Sequence, residues 1–515
     1  MCGILFVDQK KNLISKSNFV KVLKSQSWRG PDNTSFKILN NNKIFLGHNR
    51  LTILDKKSRS NQPMESDDGR YLLIFNGEIY NYKEIIKKYK LKLRTTSDTE
   101  VVLKGFILKG KNILNDLDGM FSFIIYDKEK SEWFCARDRF GIKPLFIYHD
   151  KNKTVIGSEP GSIAKLLNLK IDHVSILEWK LFRAPTPNYT FFKNLTQFPK
   201  SCYRTNKINQ NIPYYQLKRK KNKINFGKIK KLIDNSIYSH QMGDVSCTSL
   251  LSGGIDSTII LKNSSKVKRC YSVGLKKNNE FIAATKISKK LNKKISLVNV
   301  ENQKLLSTWK YLTKLRKEPL SVPNEGLIYL VCKKMNKKNK IVLTGEGADE
   351  IFFGYDKIFR WALTQNQLNI RKFIEMYGYS NTVKPTIRFM NYIKSIASKK
   401  KPIDFVEDFF YDFHLPTLLR RMDFASMAAS KEARVPFVSK NIIENLYRKN
   451  PSIKINKNHS KIPLRKYIEK INLNFVLRTK KIGFSAEINN KSGKFQNYSM
   501  FQNIVLKTFK KEYLK

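Results

Sequence analysis

Three stretches of this 515-residue chain hold residue types and spacings that could do chemistry: a cysteine directly behind the initiator methionine, "LLSGGIDST" at Leu250 to Thr258, and "GEGADE" at Gly345 to Glu350. Cysteine is small enough that aminopeptidase removal of Met1 is expected, leaving Cys2 with both a thiol and a free α-amine. The thiolate is a nucleophile, and an α-amine of pKa about 8, well below that of lysine, can take and return its proton. The second stretch follows a strand-like run and opens a helix, so its backbone N–H groups and helix dipole can cradle phosphate oxygens. It is neither a GxGxxG fingerprint nor a GxxxxGK[ST] loop. In the third, Glu346, Asp349 and Glu350 crowd three carboxylates into a segment otherwise glycine-rich and apolar, which argues against simple surface charge.

Positioning such groups takes two kinds of scaffold. Up to about Tyr203 the chain shows short strand-like runs ("KIFLGHN", "YLLIFNG", "MFSFIIYD", "EWFCARD") between turn-rich segments, the texture of an antiparallel layered domain. After it, "CTSLLSGG", "RCYSVGL", "KISLVNV" and "NKIVLTGEG" alternate with helical segments, which implies a parallel sheet with helices on both faces. The expected fold class is thus α/β and α+β. The expected boundaries are a first domain at 2–205, a Lys- and Asn-rich linker at 206–226 and a second domain at 227–515.

Read together and in order, "CGI", "RGPD" (Arg29 to Asp32), "HNRLTILD" (His48 to Asp55), "NGEIYNY" (Asn76 to Tyr82) and "SDTE" (Ser97 to Glu100) resemble the glutaminase domain of class II amidotransferases, which are N-terminal nucleophile hydrolases. The resemblance implies Cys2 as nucleophile, with the Asn76 amide and the Gly77 N–H as oxyanion donors. It also implies Arg50 forking onto the glutamine α-carboxylate, and Glu78 and Asp98 holding its α-ammonium and the surrounding hydrogen bonds. The family commonly has His before "RGPD" and Gly shortly after, where this chain has Trp28 and Ser35.

The second half resembles the ATP-pyrophosphatase domain of glutamine-dependent asparagine synthetases, a fold like the adenine nucleotide α-hydrolases. That likeness implies an ATP and pyrophosphate site of Leu251, Ser252, Gly253, Gly254, Asp256, Ser257, Thr258, Val273, Thr344, Gly345 and Lys481. It implies Mg²⁺ held by Asp256 and Asp349, with Glu346 and Asp349 on the acceptor and adenylate side. "EPLSVPNE", "DFASMAASKEARVPF" and "KIPLRKYI" fall where the family has core-facing and substrate-side segments. Here the pattern departs at three places: Ser439 replaces a carboxylate, Phe424 stands where a basic residue is common, and Arg478, Lys480 and Lys481 offer competing registers for the terminal basic motif. The implied reaction is aspartate adenylation followed by attack of glutamine-derived ammonia. The alternative is the same amidotransfer onto another carboxylate, such as a sugar uronic acid.

Composition sets the remaining expectations. The six cysteines are scattered, with no CxxC pair, which disfavours a disulfide framework or zinc site. The formal charge of +56 is spread along the chain and dominated by Lys, as codon bias in an A+T-rich genome would produce, and no focused basic stripe with interleaved aromatics points to a specific nucleic acid. No run of about 18 apolar residues suggests a membrane span, and the N-terminus lacks the layout of a signal peptide. The expected partners are small molecules (glutamine, aspartate or another carboxylate, ATP), the expected location is the cytoplasm, and a homodimer is the assembly entertained.

Overall fold

A computed structural model describes residues 2–11, 13–220, 223–276, 279–380, 382–398, 400–479 and 494–513. The apolar alternation of the first half builds two antiparallel six-stranded sheets. One runs in the order Leu195–Gln197, Phe146–His149, Lys153–Gly157, Gly3–Gln9, Ile44–Arg50 and Asn33–Leu39. The other runs Ile212–Pro213, Cys202–Thr205, Glu132–Arg137, Gly119–Asp127, Tyr71–Ile79 and Met64–Glu65. Because side chains alternate across a strand, Ile4, Phe6, Ile44 and Leu46 meet Leu72, Ile74, Ile124 and Trp133 between the sheets. Their partners in the alternation point outward under helices: Leu5, Val7 and Phe45 pack with Phe19 and Leu23 of Lys16–Ser25, and Phe75, Phe121 and Phe123 with Val101 and Val102 of Asp98–Lys109. The result is a four-layer domain whose innermost strand begins one residue after Cys2.

The second half forms a five-stranded parallel sheet in the order Lys294–Val300, Arg269–Leu275, Ser246–Leu250, Asn339–Leu343, Glu432–Arg434. Ser249 lies beside Leu343, and Leu343 beside Arg434. The turns leaving these strands therefore converge at the carboxyl ends of the sheet, the usual binding edge of an open parallel sheet. Between the halves, the segment 206–226 is more than a plain tether: Ile212–Pro213 pairs with Cys202–Thr205 and so extends the second antiparallel sheet. One apolar cluster spans both halves, joining Leu51, Ile53, Met120 and Ile142 to Leu251, Ile341, Ala348, Val435 and Phe437. No helix among the described residues is long and apolar enough to cross a membrane.

Candidate functional site

The strand Gly3–Gln9 is pinned between two neighbours, so Cys2 emerges from a rigid edge. It is buried, and burial pushes its thiol pKa up, opposed by the Leu51 backbone N–H and by nearby Arg50. The Cys2 backbone N–H donates to Asn76 Oδ1 at 2.9 Å. This bond fixes the orientation of the Asn76 amide. Among the described residues its Nδ2 is buried without an acceptor, a costly state unless something supplies an acceptor there. In the antiparallel register Gly77 faces Phe121, whose own N–H and C=O are taken by Asp138 on the far side. Gly77 N–H therefore points to the opposite edge, the one where Phe75 N–H reaches Gln62 and Ile79 N–H reaches Asp98. A Cβ on Gly77 would lie 2.2 Å from the Met120 carbonyl, so only glycine allows this approach. Gly77 N–H thus opens on the edge shared with Gln62 and Asp98, one residue beyond Asn76, whose amide is held at Cys2.

Around them the expected glutamine ligands gather. Asp98 follows Ser97, whose side chain caps the helix Asp98–Lys109 by accepting from Thr99 N–H. Burial raises the Asp98 pKa to about 6, against the lowering bond from Ile79 N–H at 2.8 Å. Burial, with Glu432 and Asp98 close by, lifts the Glu78 carboxyl well above the usual range. Arg434 of the second half stands 3.3 Å from Glu78. Arg50 differs from the two-toothed expectation: its terminal N–H groups donate to the carbonyls of Leu54, Asp55 and Lys57 and to Asn61 Oδ1. In this conformation the guanidinium locks the 54–61 loop, and gripping a carboxylate with both teeth would require it to exchange two of these bonds.

At the other centre, the loop after Ser246–Leu250 turns into the helix Ile255–Asn263. Ser257 Oγ accepts from Ser252 N–H at 3.1 Å, and Thr258 Oγ1 donates to the Gly254 carbonyl at 2.7 Å, which ties the loop to the first turn of the helix. Leu251 is buried beneath it and Val273 is half-buried in the neighbouring strand. Thr344 N–H donates to the Arg434 carbonyl at 3.0 Å, which holds the start of the Gly345 to Glu350 turn against the edge strand. Lys461, which sequence reasoning did not single out, connects the parts. Its Nζ lies 2.6 Å from Asp256 Oδ2 and 2.6 Å from Asp349 Oδ1. Gly354 makes room for that bridge, since a Cβ there would fall 1.9 Å from Asp349 Oδ1 and 2.3 Å from Lys461 Cε. The two carboxylates expected to share a metal therefore aim at one cationic point, an all-oxygen donor set of the kind Mg²⁺ takes together with phosphate oxygens and water. Glu346 is gripped through both oxygens by Arg421 Nη2, at 2.8 and 2.7 Å. Lys481 lies outside the described residues.

The departures from the family pattern also have physical readings. Ser439 caps the helix Lys440–Leu446 by accepting from Ile442 N–H, a role serine shares with aspartate. Trp28 and Phe424 meet edge to face at 5.4 Å across the domain boundary.

Comparison with known proteins shows the family. A family model described as a glutamine amidotransferase domain matches residues 1–216, and one described as asparagine synthase matches residues 228–508. The chain is a two-part amidotransferase, with a glutamine-handling half and a synthase half. It belongs to the family of glutamine-hydrolysing asparagine synthetases. Asparagine synthetase [glutamine-hydrolyzing] 3 of Bacillus subtilis is 26% identical over 93% of this chain and 86% of the relative. A putative asparagine synthetase [glutamine-hydrolyzing] 2 of Methanocaldococcus jannaschii is 30% identical over 69% of this chain and 76% of its own length. Asparagine synthetase B of Escherichia coli is 25% identical over 88% and 76% respectively.

Proposed function

We propose that the protein is an ATP-dependent carbon–nitrogen ligase that makes asparagine from aspartate with glutamine as nitrogen donor. Glutamine chemistry is assigned to residues 2–205 and ligase chemistry to 227–515, joined by 206–226. The observation that carries the first half-reaction is the Asn76 amide, tied to Cys2 through Oδ1 while Nδ2 lacks an acceptor among the described residues. With Met1 removed, the Cys2 thiol gives its proton to its own α-amine and attacks the glutamine side-chain carbonyl. The oxyanion then forms between Asn76 Nδ2 and Gly77 N–H, the α-ammonium returns its proton to the departing nitrogen, and loss of ammonia leaves a thioester that water hydrolyses to glutamate. Asp98 and Glu78 hold the substrate α-ammonium, and Arg50 turns from its loop to the α-carboxylate.

In the second half the "SGGIDST" loop, with Val273, Thr344, Gly345 and Lys481, takes the nucleotide. Asp256 and Asp349 would hold Mg²⁺, whose charge would offset that of the phosphates, and Lys461 brings a further positive charge to the same point. Glu346, oriented by Arg421, faces the acceptor, whose β-carboxylate is activated as an acyl adenylate with release of pyrophosphate. Ammonia attacks that carbonyl and AMP leaves. Only unprotonated ammonia is a nucleophile, and the apolar cluster running from Leu51 beside Cys2 to Leu251 beneath the pyrophosphate loop supports a dry route between the centres. The test is pyrophosphate release with ATP, Mg²⁺, an ammonium salt and a panel of carboxylic acids. Aspartate is expected to support the fastest release, and preference for a uronic acid would overturn the assignment of the acceptor.

A further inference from the structure

Arg29 sits at the boundary of the two halves with no exposed surface, and each face of its guanidinium serves a different structure. Nε donates to the Cys2 carbonyl at 3.0 Å, Nη1 to Glu159 at 2.6 Å and Nη2 to Asp423 at 2.9 Å. Asp423 belongs to the helix Leu415–Met427 of the second half and also lies 3.6 Å from Lys143 Nζ. Two positions earlier on the same helix, Arg421 grips both oxygens of Glu346. Residues two apart on a helix are turned by about 200°. The helix is therefore a wedge that shows Asp423 to the nucleophile side and Arg421 to the adenylate side. Beside this junction the two departures from the family pattern meet, Trp28 against Phe424 at 5.4 Å. The Arg29 guanidinium lies 5.6 Å from the Trp28 ring, and that of Arg316 4.5 Å from the Phe424 ring. Phe424 is buried, so an apolar aromatic pair walls the Arg29–Asp423 bridge off from water and keeps its electrostatics strong.

We propose that Asp423, held by Arg29 and shielded by the Trp28–Phe424 pair, is a positioning residue that couples the state of Cys2 to Glu346 through the helix Leu415–Met427. The proposal rests on the two-centre function above. A shift of the Cys2 backbone on acylation pulls Arg29, which bears on Asp423, and the helix passes the shift to Arg421 and Glu346. The coupling is reciprocal, so an adenylate seated at Glu346 also sets the geometry at Cys2.

The experiment uses the full chain with glutamine, ATP, Mg²⁺ and aspartate, and measures glutamate and pyrophosphate together. For the unaltered protein the two are expected to appear in near-equal amounts. Asp423→Asn is expected to raise the glutamate-to-pyrophosphate ratio about fivefold or more, the lower bound of ordinary coupling between sites. Pyrophosphate release from ammonium salts and hydrolysis of glutamine alone should both persist. Asp423→Glu is expected to recover part of the ratio. Should Asp423→Asn fail to fold, Phe424→Leu, which keeps the bridge and an apolar filling but removes the aromatic edge, decides the matter through a smaller rise in the same direction. An unchanged ratio in the folded variants, or a parallel fall of all three activities with no recovery in Asp423→Glu, would overturn the proposal. Absence of pyrophosphate with every nitrogen source in the unaltered protein would instead bring down the function on which it rests.

Discussion

Replacing Asn76 with alanine removes the donor whose free position gives the glutamine site its most specific feature. The side chain has no exposed surface, its Oδ1 is committed to Cys2 N–H at 2.9 Å, and its Nδ2 has no acceptor among the described residues. On the proposed assignment the substitution deletes one bond present in the resting protein and one made only to the oxyanion. The resting bond is worth about 1 kcal/mol to the fold, as for a typical neutral pair. The oxyanion bond forms as charge develops, so its loss falls on the transition state: one such donor is worth about 10²- to 10³-fold in kcat, roughly 2.7–4 kcal/mol. Glutamate production from glutamine alone is thus expected to fall by about 10²-fold or more in kcat with a smaller change in KM. Gly77 N–H remains, so activity should stay above the uncatalysed rate. The Tm should stay close to that of the unaltered protein, and ammonium-dependent pyrophosphate release should not change. A fall in kcat of less than about tenfold would refute the assignment of Nδ2 to the oxyanion.

The second centre and the pH response give further tests. Lys461→Met leaves Asp256 and Asp349 facing each other without the ammonium that now bridges them, so pyrophosphate release is expected to drop at least about tenfold with either nitrogen source; hydrolysis of glutamine alone should continue, and equal loss of both activities would show the role to be structural. Asp98, raised to about 6 by burial, binds its proton more tightly folded than unfolded, so its contribution favours the fold below about pH 4 and is lost as pH rises through about 6. Holding an α-ammonium needs the anion and runs the other way: kcat/KM for glutamine should fall as pH drops through about 6, while a profile flat from pH 5 to 7 would remove Asp98 from glutamine binding.

Groups whose positions follow from local pattern were legible in the sequence. Cys2 opens an apolar strand, Asn76 and Gly77 sit inside another, and the "SGGIDST" loop lies between a strand and a helix, so period and punctuation placed their elements while the resemblance to the family supplied their roles. The parallel strands that bring Leu251 and Thr344 to one edge were visible for the same reason. Lys461 was not, because its partners Asp256 and Asp349 belong to distant segments and no spacing rule joins them. The resting engagement of Arg50 was hidden too, since the 54–61 loop has no periodic signal to fix where its carbonyls point. Trp28 and Phe424 could each be read as departures from the family, but only the folded chain shows that they answer one another. Ser439 looked like a lost carboxylate and in the folded chain caps the helix Lys440–Leu446.

The claim that two separable centres share this chain is tested most directly by Cys2→Ala. Cys2 lies in the first half, tied to Asn76, while Asp256, Asp349 and Lys461 meet at the carboxyl edge of the parallel sheet in the second. Glutamate production and pyrophosphate release would be measured on the same preparation, first with glutamine and then with an ammonium salt, each with ATP, Mg²⁺ and aspartate. The variant is expected to make no glutamate and no glutamine-dependent pyrophosphate, yet to release pyrophosphate from ammonium at nearly the rate of the unaltered protein. Parallel loss of both activities in a folded variant would contradict the two-centre account.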